Sequence, residues 1–167
     1  MEFSRHISRI LHEEHRETIA AMEQLDGLVA GRRKAAAPDV NDPAVRASLQ
    51  QVCAIFNAEV GDHFGFEENE LFTRLAEYGD VAIGAHLTEE HGILLPLGEQ
   101  VAAVATAALE NGFNEESWNT FRQISAELVE RMLTHIQKEE MGLLPLLEDV
   151  LDSDTDFALT EIYQNSA

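Results

Sequence analysis

The chain has 167 residues, 11 of them basic and 31 acidic, for a net charge of −20 with histidine neutral. That length suffices for one domain with a real core. The acidic bias argues against the basic footprint of a nucleic-acid or anionic-membrane binder. A single cysteine, Cys53, precludes an intrachain disulfide framework and reads as a buried, inert thiol. The opening M-E-F-S-R-H lacks the apolar core of a signal peptide, and no uninterrupted apolar run approaches the ~18 residues of a membrane span. A cytoplasmic protein in a reducing compartment is the expectation.

Ser4 can cap a first helix running to about Ala30, with Ile7, Leu11, Ile19, Met22 and Leu25 at helical period. Gly31 ends it, and the basic run Arg32–Lys34 suits a helix C-terminus. Asp42 then Pro43 reads as an N-cap with proline in the first turn, opening a second helix to about Tyr78. After a Y-G-D turn, Asp80 starts a third helix lasting to about Asn111, kinked at Pro96. Gly112 closes it, and Asn114 caps a fourth helix to about Val150 that carries Pro145 near its end. No stretch has β periodicity. The expected fold is all-α, an antiparallel up-down-up-down four-helix bundle over 1–150. An acidic tail over 151–167 follows, with a short amphipathic helix after 153.

The segment H-F-G-F-E-E-N-E-L puts His63 and Glu67 four residues apart, one turn apart on one helix face. His135 and Glu139 repeat the spacing. His15 and His91 sit on the other two helices among apolar neighbours. Measured from the lower helix ends, the four histidines lie about 11 to 13 residues up, in one layer about 16–20 Å above the bottom at ~1.5 Å per residue. Glu67 and Glu139 lie one turn lower. Buried imidazoles and carboxylates need a partner or a metal. Six nitrogen and oxygen donors without a thiolate suit two first-row ions and exclude a zinc-finger-like or iron–sulfur site. The expected metal ligands are His15, His63, Glu67, His91, His135 and Glu139.

Three other residues compete for places. His86 is level with the glutamates but about 140° around the helix from His91. His12 is about a turn below His15, and Glu140 is about 140° from His135. They are the alternates. His6 reads as surface. Glu-x-x-His, the ferritin-like signature, is absent, because Val60, Thr88 and Met132 stand three before His63, His91 and His135. Tyr78 and Trp118 read as packing residues.

With E-H at 14–15, H-F-G-F-E-E at 63–68, E-E-H at 89–91 and H-I-Q-K-E-E at 135–140, the chain over residues 5–150 resembles the hemerythrin-like (HHE cation-binding) family. Oxygen carriers of that family have two histidines four apart on the third helix. Here the earlier position is Leu87. They also place an aspartate five after the fourth-helix histidine, where this chain has Glu140, whereas Glu139 fits the wider HHE group. The resemblance implies a four-His two-Glu di-iron centre, with oxygen or iron sensing, peroxide turnover, or nitric oxide stress response as its uses. The expected cofactor is two iron ions, with manganese or zinc as substitutes, bridged by oxo or hydroxo. The expected partner is dioxygen, peroxide or nitric oxide, bound or reduced. A metal-responsive sensor or interaction module and a reversible oxygen binder are the alternatives.

Overall fold

The computed structural model describes residues 3–30 and 36–166, so the expected helix end at Gly31 and the basic run after it lie outside the described residues. Among the described residues the chain is all-helical. Helix α1 spans His6–Val29. A second segment runs through α2 (Pro43–Ala54), α3 (Val60–Phe66) and α4 (Phe72–Glu77). Helix α5 spans Ala82–Asn111. A fourth segment comprises α6 (Glu115–Lys138) and α7 (Leu144–Val150). Helix α8, Ser153–Ser166, closes the chain.

Three π-helical turns interrupt the regular ladder, at Ile55–Glu59, Glu67–Leu71 and Glu139–Leu143. In each, an N–H reaches back five residues: Val60 to Ile55, Phe72 to Glu67 and Leu144 to Glu139. Such widened turns re-aim side chains and often occur where a helix serves a site. Two of the three begin at the glutamates of the His-x-x-x-Glu pairs.

Helix ends fall at or within two residues of the expected positions, but the start of the first is capped differently. Asp42 accepts the N–H groups of Ala44 and Val45 behind Pro43. Asn114 and Ser117 form a reciprocal capping box. Asp80 accepts the N–H of Ala82, so α5 begins two residues later than expected. It then runs unbroken through Pro96, and Gly112, at φ 76°, ends it in a conformation that disfavours a side chain. Ser4 does not cap α1. Its N–H and hydroxyl donate to Glu148, and the N–H groups of His6 and Ile7 donate to Asp156 on α8. The first helix is therefore capped by carboxylates about 150 positions away in the chain.

Helix α1 packs against α2 and α6, and α5 packs against the same two. By length and composition alone α5 could cross a membrane; here it buries Leu87, Leu94 and Val101 against its neighbours. Gly98 lets it approach closely, since a Cβ there would stand 2.0 Å from the Phe56 ring. The core has two apolar clusters. The upper includes Met22, Leu49, Phe56, Leu94, Trp118 and Leu128. The lower includes Ile7, Leu11, Leu75, Leu87, Leu147 and Leu159. On every long segment the histidine falls at the boundary between the two.

Candidate metal centre

Between the clusters, six polar side chains are withdrawn from solvent. Relative exposures are 2% for His15, 8% for His63, 3% for His91, 1% for His135, and 0% for both Glu67 and Glu139. The rings form two pairs. His15 and His63 have centroids 5.3 Å apart, and His91 and His135 4.8 Å apart. Each carboxylate reaches across both pairs. Glu67 places Oε1 3.2 Å from His63 and Oε2 3.4 Å from His91. Glu139 places Oε2 2.9 Å from His15 and Oε1 2.8 Å from His135.

These separations are short but mostly lack hydrogen-bond alignment. Nε2 of His15, His91 and His135, and both oxygens of Glu67 and Glu139, have no hydrogen-bond partner. Orphaning so many buried atoms in one place costs several kcal/mol, about 1–3 each. The cost is sensible if the lone pairs share a guest. Two overlapping sets of donor atoms meet within 4.8 Å, His15–His63–Glu67–Glu139 and His91–His135–Glu139.

The outward nitrogens are all held. Nδ1–H of His15 donates to Glu140 at 2.6 Å, and that of His63 to Glu14 at 2.7 Å. His91 donates to Glu68 at 2.8 Å, and His135 to Glu90 at 2.9 Å. The bonds run in a closed ring. Helix α1 orients the histidine of α3, the turn after α3 that of α5, α5 that of α6, and the turn after α6 that of α1. Each glutamate fixes its ring's tautomer and directs the Nε2 lone pair inward, as carboxylates behind metal-bound histidines do.

Residues 6–147 match the hemerythrin HHE cation-binding domain. The chain belongs to the hemerythrin HHE family. No curated protein matches it. As a hemerythrin-family chain it is a metal-binding protein, and its buried nitrogen and oxygen donors suit a metal, typically iron.

Electrostatics fit the same reading. Burial opposes charge on His15, but Glu139 and Glu140 outweigh it and push the ring up to about 9. Burial likewise opposes charge on His91, and Glu139, Glu67 and Glu68 bring it to about 9. His63 is raised well above its ordinary value by Glu67 and Glu14 against complete burial. Burial would raise Glu139, but His135, His15 and His91 hold it well below the usual carboxylate range. In the hemerythrin-like chain without metal, protons stand where cations would bind.

The alternates lie outside the cluster. His12 turns its Nδ1 to Glu140 and its ring against Phe3. His86 is half-exposed, with Nε2 3.0 Å from Lys138 Nζ. Glu140 faces the outer nitrogen of His15, not the interior. Leu87 is fully buried in the lower cluster. Cys53 is half-buried, against Thr106 and the Ala102 carbonyl.

Sequence reasoning missed the roles of Glu14, Glu68 and Glu90. The signal was adjacency: each neighbours a predicted ligand. A neighbour on a helix points about 100° around the axis, toward the next helix instead of the centre. It also missed Tyr163 of α8, whose hydroxyl donates to Glu14; no spacing links the two.

Proposed function

We propose that the chain is a non-haem di-iron protein that binds or reduces a small neutral oxidant: dioxygen, hydrogen peroxide or nitric oxide. The observation that carries this reading is the reach of Glu67 and Glu139, each with one oxygen on each histidine pair. Two cations sharing two carboxylates is the arrangement these contacts suit. His15 and His63 would hold one iron, and His91 and His135 the other. When bound, a pair of reduced irons would supply the electrons that such an oxidant takes up.

The protein's own part is orientation and exclusion of water. Glu14, Glu68, Glu90 and Glu140 hold each Nδ1 proton, which leaves each Nε2 as the inward-facing donor to a metal. Phe64 stacks on His91 at 3.8 Å and 7°, which fixes that ring and closes its side of the centre. A cavity of ≈300 Å³ reaches His15, His63, His135 and Glu139, with Val60, Met132 and Ile136 as its apolar lining. That size suits small guests, at the low end for ligand pockets. The carboxylates Glu14, Glu17 and Asp62 at its outer part disfavour anions.

Our reading takes the long segments as an up-down-up-down antiparallel bundle over 1–150, supported by the short connections and the pairwise packing of α1 and α5 on α2 and α6. Residues 151–167 form a tail. A cytoplasmic setting and a place in stress response or sensing complete it. The tail favours a second reading, a sensor whose α8 contact responds to the centre, because Tyr163 touches Glu14 and Glu14 touches His63.

Optical titration of the iron-loaded, reduced protein with dioxygen and nitric oxide tests the proposal. New absorption with at least one is expected. Silence with both sinks the oxidant reading.

A further inference from the structure

The family match stops at residue 147, yet a residue beyond it completes the wall of the cavity that reaches the metal centre. Tyr163 stands on α8. Its ring meets Phe66 edge-on at 4.7 Å, and its hydroxyl donates to Glu14, whose other oxygen holds His63. Burial and the surrounding carboxylates, Glu14 first among them, raise the phenol well above its ordinary value, so it stays a donor. Helix α8 is fastened at its other end too. Asp156 accepts the N–H groups of His6 and Ile7 at 2.9 and 3.0 Å, and Leu159 is fully buried. Tyr163 is thus a wall held at ring and hydroxyl, not a side chain free to swing aside.

The cavity touches His15, His63, His135 and Glu139, but neither His91 nor Glu67. Tyr163 stands on its His63 side, where its hydroxyl meets Glu14. The cavity's outer carboxylates select against anions, and the phenol ring limits bulk.

We propose that Tyr163 is a specificity-determining residue: its ring sets how bulky a neutral ligand reaches the centre through this cavity, while its hydroxyl keeps Glu14 on His63. The inference rests on the metal-centre reading above. It concerns an element that lies beyond the family match.

The test uses the full chain loaded with cobalt(II), whose visible bands report coordination. Two neutral probes, imidazole and 4-phenylimidazole, are mixed with it at pH 8, and their binding rates are compared. In Tyr163→Ala the rate for the bulky probe relative to the small one rises about tenfold or more, within the range that shape discrimination supplies. Tyr163→Phe keeps the ring and the wild-type ratio. Tyr163→Leu serves if the alanine variant folds poorly, and Asp156→Ala, which unfastens α8 away from the cavity, raises the ratio as well. An unchanged ratio in the alanine and leucine variants overturns the proposal. So does equal acceleration of both probes with a lower Tm, since that marks α8 as a stabilising strap alone. If the wild-type chain takes up no cobalt, the metal-centre reading fails and this inference with it; a loaded wild type with an unaltered variant ratio overturns this inference alone.

Discussion

Glu90 on α5 accepts the Nδ1–H of His135 on α6 at 2.9 Å, while its chain neighbour His91 turns into the centre. One dipeptide thus serves two histidines: it supplies one and orients another. Glu14–His15 divides the work in the same way, whereas Glu67–Glu68 and Glu139–Glu140 each turn one carboxylate inward and hold a histidine with the other. Lys138 anchors Glu90 from outside, so the orientation of His135 depends on an ion pair reaching the surface.

Breaking one link of this ring should weaken metal binding without dismantling the fold. For Glu68→Gln and Glu90→Gln the expected loss of affinity is about 10–100-fold, the usual effect of removing an orienting carboxylate. Competition with a chelator of known affinity measures it. Circular dichroism of the variants should match the parent. Unchanged affinity in both would mean that the outer carboxylates do not orient the ligands.

Removing an inner ligand should act on stoichiometry. His63→Ala and His135→Ala are expected to lose about one of two metal ions per chain, because each ring belongs to one pair. His86→Ala should retain both, since that ring is half-exposed beside Lys138. Elemental analysis of the purified variants decides this. Loss of metal from the His86 variant would reverse the assignment of the third-helix ligand.

Acidity should act in opposite senses with and without metal. His15 and His91 titrate at about 9 in the metal-free fold against 6.5 for the unperturbed ring. The folded state therefore binds more protons than the unfolded chain between those values. This contribution to stability is fully present below about 6.5 and is lost as pH rises toward about 9. The Tm of the metal-free protein should fall across that window. Metal affinity should climb over the same range, by up to about tenfold per pH unit for each proton displaced. Melting curves and chelator competition at pH 6.5 to 9 give both slopes. A flat profile for each would show that the rings are neutral without metal.

Close packing of α5 against the π-helical turn after α2 depends on Gly98. Alanine there would put its Cβ 2.0 Å from the Phe56 ring, which cannot move far inside the upper cluster. The expected cost of Gly98→Ala is about 1–3 kcal/mol, as for other overpacked cores. Gly65, with open space around its added Cβ, is the control and should tolerate alanine. Urea denaturation of the two variants provides the comparison.

Much of this was legible in the chain because helices advertise themselves through local rules. Asp42–Pro43, Asn114 and Gly112 mark ends that depend only on neighbouring N–H and C=O groups. The apolar periods of α1 and α6 say which side is buried. Counting residues from those ends put His15, His63, His91 and His135 at one height, and the structure brings them together. Where an end depended on distant residues, the local rule failed: Ser4 looked like a cap, but Glu148 and Asp156 do that work.

Local chemistry along the chain specifies the helices, their apolar stripes and the level at which imidazoles and carboxylates interrupt them, because 3.6-residue periodicity and capping are properties of neighbouring residues. Packing of the helices against one another settles which glutamate faces inward and which holds a neighbour's histidine. That choice depends on the π-helical turns at Glu67 and Glu139 and on the rotation of each helix against the next. Packing alone settles the docking of α8 as well. Tyr163 meets Glu14 across 149 residues of chain, and no local period or spacing encodes a contact between surfaces that the chain assembles only once it is packed.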